Sequence, residues 1–142
     1  MISLTRSAAR YVGKLSNKLR RKLDMLSSRA EFSGSQGRTL HFLLAQTEDV
    51  FQKDIEEEYS IRPSTATELL KQMEKNGLIL RQPVSYDNRL KQIVLTDKAM
   101  TYRQQVVEDL TALEETLVSG ISEEDLEVFF NVIEKMMDNL SE

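Results

Sequence analysis

At 142 residues, with 40% hydrophobic and 30% charged side chains, the chain has material for one globular domain with its own core. It contains no cysteine, which excludes disulfides, thiolate catalysis and a cysteine redox switch. No apolar run approaches the ~18 residues that a membrane span needs, so a soluble, cytoplasmic protein is expected.

The net charge of −4 argues at first sight against a nucleic-acid partner, but its distribution argues the other way. Residues 1–38 sum to +7 and 61–98 to +3, whereas 39–60 sum to −5 and 99–142 to −9. A chain so divided can turn basic surface towards phosphate and keep its acidic part away.

The first predicted element is a long amphipathic helix over residues 2–27. Leu4, Ala8, Tyr11, Leu15, Leu19, Leu23 and Leu26 step by three and four, and the other face carries Arg6, Arg10, Lys14, Lys18, Arg20, Arg21 and Lys22. Its basic, Ser-containing start superficially resembles a transit peptide or a membrane-surface helix. No cleavage-like break follows, and an apolar stripe that packs on the rest of the domain accounts for the pattern better. After a loop at 27–34, a second helix is expected over 35–46, with Ser33 and Ser35 as candidate caps and Leu40, Leu43 and Leu44 facing inward. His41 is the only histidine, so a transition-metal site would need carboxylates for nearly all its ligands. It reads as a helix-surface or core-edge residue. Asp49, Val50 and Phe51 look extended, a minor third strand.

The stretch from Gln52 to Asp97 organises the chain. A short helix over 52–59 carries Ile55 and Tyr59 on one apolar face. Its Glu56, Glu57 and Glu58 point in different directions, which fits solvent and ion pairing and no catalytic pair. Residues 60–62 turn the chain. Pro63 opens a second helix, where its missing N–H costs nothing, and Ser64, Thr65 and Thr67 are candidate caps. Leu69, Leu70, Met73 and Leu78 keep the helical period until Gly77 ends it as the residue after the cap. Strands are expected at 78–82 and 91–95 around a polar loop, 83–88. Helix, turn, helix and hairpin in this order make a winged helix-turn-helix, a DNA-reading unit.

Thr96 is then expected to cap one long helix over 97–119, striped by Ala99, Tyr102, Val106, Leu110, Leu113 and Leu117. Gly120 breaks it, and Ser122 with Asp125 begins a last helix that buries Leu126, Phe129, Phe130, Ile133, Met136, Met137 and Leu140. The terminal helices offer more apolar surface than a small winged lobe can cover, which points to a homodimer. Leu4, Ala8, Phe129, Phe130, Ile133 and Met137 are its candidate interface residues.

Three motifs in order resemble the MarR family of bacterial regulators. They are Glu74-Lys75-Asn76-Gly77-Leu78-Ile79, Asp87-Asn88-Arg89-Leu90-Lys91 and Leu95-Thr96-Asp97-Lys98-Ala99. Met73 replaces the leucine that opens the first motif, and Asn88 stands where relatives often carry a second Arg. The resemblance covers nearly the whole chain. It implies a mainly α fold with a small β-hairpin wing, a DNA-binding lobe at 33–96, and dimerisation helices at 1–32 and 97–142. It also implies a pocket for a small organic effector between the lobe and those helices, with Arg10 and Tyr11 as candidate lining.

A DNA reader must neutralise phosphate, touch base edges and fit a groove. Gln52 and Lys53 stand at a helix start that favours an anion. Pro63, Ser64, Thr65, Thr67 and Lys71 lie on the leading turns of the helix meant for the major groove. None of these is an Arg or Asn, and Glu68 beside them is acidic, so modest base readout is expected. Arg89 in the wing suits a narrow minor groove, with Asp87 placed to hold its guanidinium. Arg81 and Lys91 are expected on phosphate. The function expected is that of a homodimeric regulator on double-stranded DNA, a repressor relieved by a small organic ligand, with no cofactor and no enzymatic activity. The rival is a winged helix used for protein–protein interaction, with the acidic C-terminal third as its adhesive surface.

Overall fold

The structure is a computed structural model that describes residues 3–29 and 34–141, without the side chains of residues 27–29, 35, 88 and 89. Two compact units divide it, Met1–Asp109 and Leu110–Glu142.

The first unit opens with helix α1, Ala8–Arg29. The expected start at residue 2 is corrected, because the Ser7 hydroxyl accepts from the Arg10 amide at 3.1 Å and so caps a helix beginning at Ala8. Leu4 lies ahead of that helix and is 83% exposed, so it is no member of the stripe. Helix α2 spans Gly34–Ala45 and sends Leu40, Leu43 and Leu44 inward. Of its two expected caps, Ser33 and the Ser35 side chain lie outside the described residues. A 2.7 Å ion pair from Arg38 to Asp24 ties α2 to α1.

Strand β1, Val50–Phe51, leads directly into helix α3, Gln52–Tyr59. Asp54 accepts from the Phe51 amide at 2.8 Å, which satisfies the backbone at the helix start without a capping hydroxyl. Ser60 closes α3 in the left-handed conformation, φ 51°, with the Ile61 amide reaching back to the Glu56 carbonyl at 3.0 Å. Helix α4, Pro63–Lys75, follows with Pro63 in its first position. Neither Ser64, Thr65 nor Thr67 caps it. The cap residue is Arg62, which makes no side-chain cap bond, and the Thr67 hydroxyl instead donates to the Pro63 carbonyl at 2.9 Å.

At the other end of α4, Gly77 has φ +76°, and its amide bonds to the Glu74 carbonyl while the Leu78 amide bonds to that of Met73, each at 3.0 Å. This doubly bonded end needs a residue that tolerates positive φ, which is why glycine stands there. The Thr96 hydroxyl donates to the Gly77 carbonyl at 2.7 Å, and Lys98 Nζ donates to that of Asn76 at 3.0 Å. The first and third sequence motifs therefore meet in space.

Strands β2, Ile79–Val84, and β3, Asp87–Leu95, form an antiparallel sheet with β1 in the order β1-β3-β2. Both run closer to the tip than the sequence suggests. Pro83, expected in the loop, sits in β2, an edge strand on which its missing N–H breaks no ladder bond. The register slips after the Pro83–Lys91 pair, and Val84 faces Asp87.

The expected helix over 97–119 is two helices, α5 (Asp97–Met100) and α6 (Arg103–Leu117). The Thr101 hydroxyl donates to the Lys98 carbonyl at 2.6 Å and the Tyr102 amide bonds to that of Ala99, so the chain tightens there. The first unit's core is Leu40, Leu44, Ile55, Leu70, Met73, Leu78, Ile79 and Val106. Its burial from α2, α3, α4, β2 and α6 sets how α4 and the wing are held.

In the second unit Gly120, φ +80°, separates α6 from helix α7, Glu123–Leu140. The Ser122 hydroxyl accepts from the Asp125 amide at 3.1 Å, the expected cap. The expected burial of the α7 stripe is corrected: no described residue of α7 is buried within one chain. Phe129 and Phe130, edge to face at 5.6 Å, are 43% and 45% exposed, and Met137 is 59% exposed.

Candidate nucleic-acid interface

The sheet register brings the start of α3 beside the wing. Phe51 pairs with Gln92, while Arg81 pairs with Ile93 and Pro83 with Lys91 on the opposite edge of the same strand. A groove of about 320 Å³ results, lined by Gln52, Lys53, Glu56, Arg81 and Lys91 among others. Four of the sequence-predicted site residues thus converge. Lys53 and Lys91 are exposed, whereas Arg81 is committed to Glu74 of α4 at 3.2 Å and is three-quarters covered. That pair fastens α4 to β2 and holds Arg81 at the groove wall.

Gln52 is tied within the protein. Its side-chain amide donates to Glu56 at 3.2 Å, to the Pro63 carbonyl at 3.3 Å and to the Thr67 hydroxyl at 3.1 Å. It locks α3 to the first turn of α4. Thr67, half-buried, has its proton on the Pro63 carbonyl and an oxygen lone pair on Gln52. Pro63, Ser64, Thr65 and Lys71 are exposed on α4, with Lys71 3.8 Å from Glu68. Asp87 is half-buried at the start of β3. Arg89 belongs to β3 by its backbone, and its side chain lies outside the described residues.

Arg10 and Tyr11, the candidate effector residues, are exposed: Arg10 donates to the Thr5 carbonyl at 2.9 Å, and Lys14 lies over the Tyr11 ring at 5.6 Å. A cavity of about 340 Å³ sits elsewhere, among α1, α2, α3 and α4, lined by Arg20, Arg38, Tyr59, Thr65 and Leu69 among others. Burial pushes the Tyr59 hydroxyl up to about 12, and that hydroxyl donates to the Arg38 carbonyl at 3.1 Å. Sequence patterns do not single these residues out, because Arg20 lies in a run of cations and Arg38 in a polar helix turn. No local signal marks either one.

One further group carries no interface role. His41 is buried, and its Nδ1 has no hydrogen-bond partner; it sits in the core, deeper than the edge position expected. Burial holds its imidazole below the ordinary value, opposed by the nearby Asp109. Among the described residues no cluster of three or more His, Cys, Asp or Glu is placed to hold a metal, and no helix is long and apolar enough to cross a membrane.

Against known proteins, residues 33–91 match the MarR family model. Residues 33–91 are a MarR-family domain. The fold is shared over more of the chain. The transcription regulator MarR from Oenococcus oeni PSU-1 is 26% identical, with 93% of this chain and 99% of that one aligned at a TM-score of 0.82. MepR of S. aureus in its DNA-binding conformation is 28% identical over 95% and 99% of the two chains, TM-score 0.84. The S. aureus MepR–DNA complex gives 27% identity over 98% and 100%, TM-score 0.82. The mainly helical architecture with a three-stranded sheet is therefore that of MarR-type winged helices.

Proposed function

We propose that the chain is a homodimeric, cytoplasmic transcription regulator that binds double-stranded DNA, with α4 in the major groove and the β2–β3 wing in the minor groove. The observation that carries this is the groove that joins the start of α3 to the wing, with α4 fastened to both, by Gln52 to its first turn and by Arg81 to Glu74. Lys53 and Lys91 supply charge for phosphate at that groove, and α4 exposes Lys71 with the hydroxyls of Ser64 and Thr65. The likeness to MepR, which is known both in a DNA-binding conformation and bound to DNA, supports the same reading.

A dimer is supported by α7, whose exposed Phe129, Phe130 and Met137 lie on a helix with no described residue buried. Two such lobes suit a pseudo-palindromic operator, and their occupancy of a promoter represses by occlusion. For the effector, the cavity offers the Arg20 guanidinium, the Tyr59 ring and Leu69, beside an Arg38 already paired with Asp24, and this set suits a small organic anion better than the exposed Arg10 and Tyr11. Such a ligand releases DNA only if it binds one spacing of the lobes better than another.

The test is a mobility-shift titration of the full chain against the DNA upstream of its own coding region, beside a shuffled duplex of equal length. Retardation of the upstream duplex at a lower protein concentration is expected. Equal retardation of both, or of neither, contradicts specific binding.

A further inference from the structure

Helix α4 presents one exposed stripe. Ser64, Thr65, Glu68, Lys71, Gln72 and Lys75 recur along it at helical spacing, and every one is exposed. Thr67 lies off this stripe, held by Pro63 and Gln52. Glu68 stands near the middle, its side chain 72% exposed, with the Lys71 ammonium 3.8 Å away.

A carboxylate here is awkward for any surface that meets a duplex. Phosphate oxygens repel it, as do the guanine N7 and O6 and the thymine O4. The donors that the major groove offers are the amino groups of cytosine and adenine. Adenine sets its N7 acceptor beside that amino group, so a carboxylate gains one contact there and suffers a repulsion. Cytosine presents its N4 donor without such a neighbour. In sequence alone Glu68 counts against base readout; its central place on the exposed stripe reverses that.

We propose that Glu68 is a specificity-determining residue that accepts a hydrogen bond from the N4 amino group of one cytosine in each half-site. The inference rests on the DNA-binding function proposed above. Lys71, one turn further on, has the opposite charge and suits the guanine of an adjacent pair or a phosphate. Together the two side chains offer an acceptor beside a donor.

The experiment is selection from randomised duplexes by the full-length wild type, Glu68→Gln and Glu68→Ala, read by sequencing and followed by titration on the selected duplexes. Wild type is expected to enrich cytosine at one position per half-site, by a preference on the order of tenfold over other bases. Glu68→Ala loses that preference while binding unselected duplex more tightly, because a negative charge has left the surface. Glu68→Gln moves the same position towards adenine, whose N6 and N7 an amide matches. A wild-type profile without such a cytosine overturns the inference, and so does a Glu68→Ala profile identical to wild type. If wild type enriches no sequence and retards no duplex, the DNA-binding function itself falls, and this inference with it.

Discussion

Arg89 and His41 stand at opposite ends of what a side chain does for this protein. Arg89 lies at the tip-proximal end of β3, and the family resemblance gives it the minor groove. Arg89→Ala is expected to weaken affinity for the upstream duplex at least tenfold. The melting free energy should change by less than about 0.5 kcal/mol. Anisotropy titration at fixed salt and a thermal melt measure the two quantities. His41, by contrast, is a stability residue. Its folded form resists the proton, so below the ordinary value of 6.5 the unfolded chain binds a proton that the folded chain refuses. Its contribution is complete above that pH and is lost as pH falls towards the lowered folded value. The melting temperature should drop between pH 7 and pH 5, and His41→Leu should flatten that drop. An unchanged slope in the variant assigns the acid sensitivity to other groups.

At the scale of elements, the clearest strain is at Ser60, which adopts φ 51° where α3 ends. A non-glycine residue in that region costs about 1 kcal/mol, and Ser60→Gly removes most of the cost against a small loss of chain entropy. A gain of roughly 0.5 kcal/mol in chemical denaturation is expected, and a loss would show that the serine has a role the backbone angle does not reveal.

What is legible in the sequence at this scale follows from local chemistry. Pro63, Gly77, Thr96 and Ser122 each mark a boundary because a ring, a positive φ or a capping hydroxyl works within one turn. The break at Thr101 is hidden because the stripe from Ala99 to Leu117 continues through it, and periodicity cannot reveal a hydroxyl reaching one carbonyl. The two ties that set the face of α4, Gln52 to Thr67 and Arg81 to Glu74, are hidden for a different reason. A polar residue that fastens elements looks, in sequence, like one that waits for a ligand.

For the molecule as a whole, the apolar stripe of α7 is the feature that one chain leaves unexplained. Light scattering at micromolar concentration should give about twice the 16.4 kDa chain mass. Phe129→Glu with Ile133→Glu should dissociate the particle or unfold it. A folded monomer that still binds its duplex would remove the role given to α7.

If two copies read successive grooves on one side of a duplex, hydroxyl-radical footprinting of the upstream DNA reveals it most directly. Two protected patches are expected on the same face, centred about one helical turn, roughly 34 Å, apart and related by an approximate dyad. A single patch, or protection spread evenly around the helix, would contradict a two-headed reader.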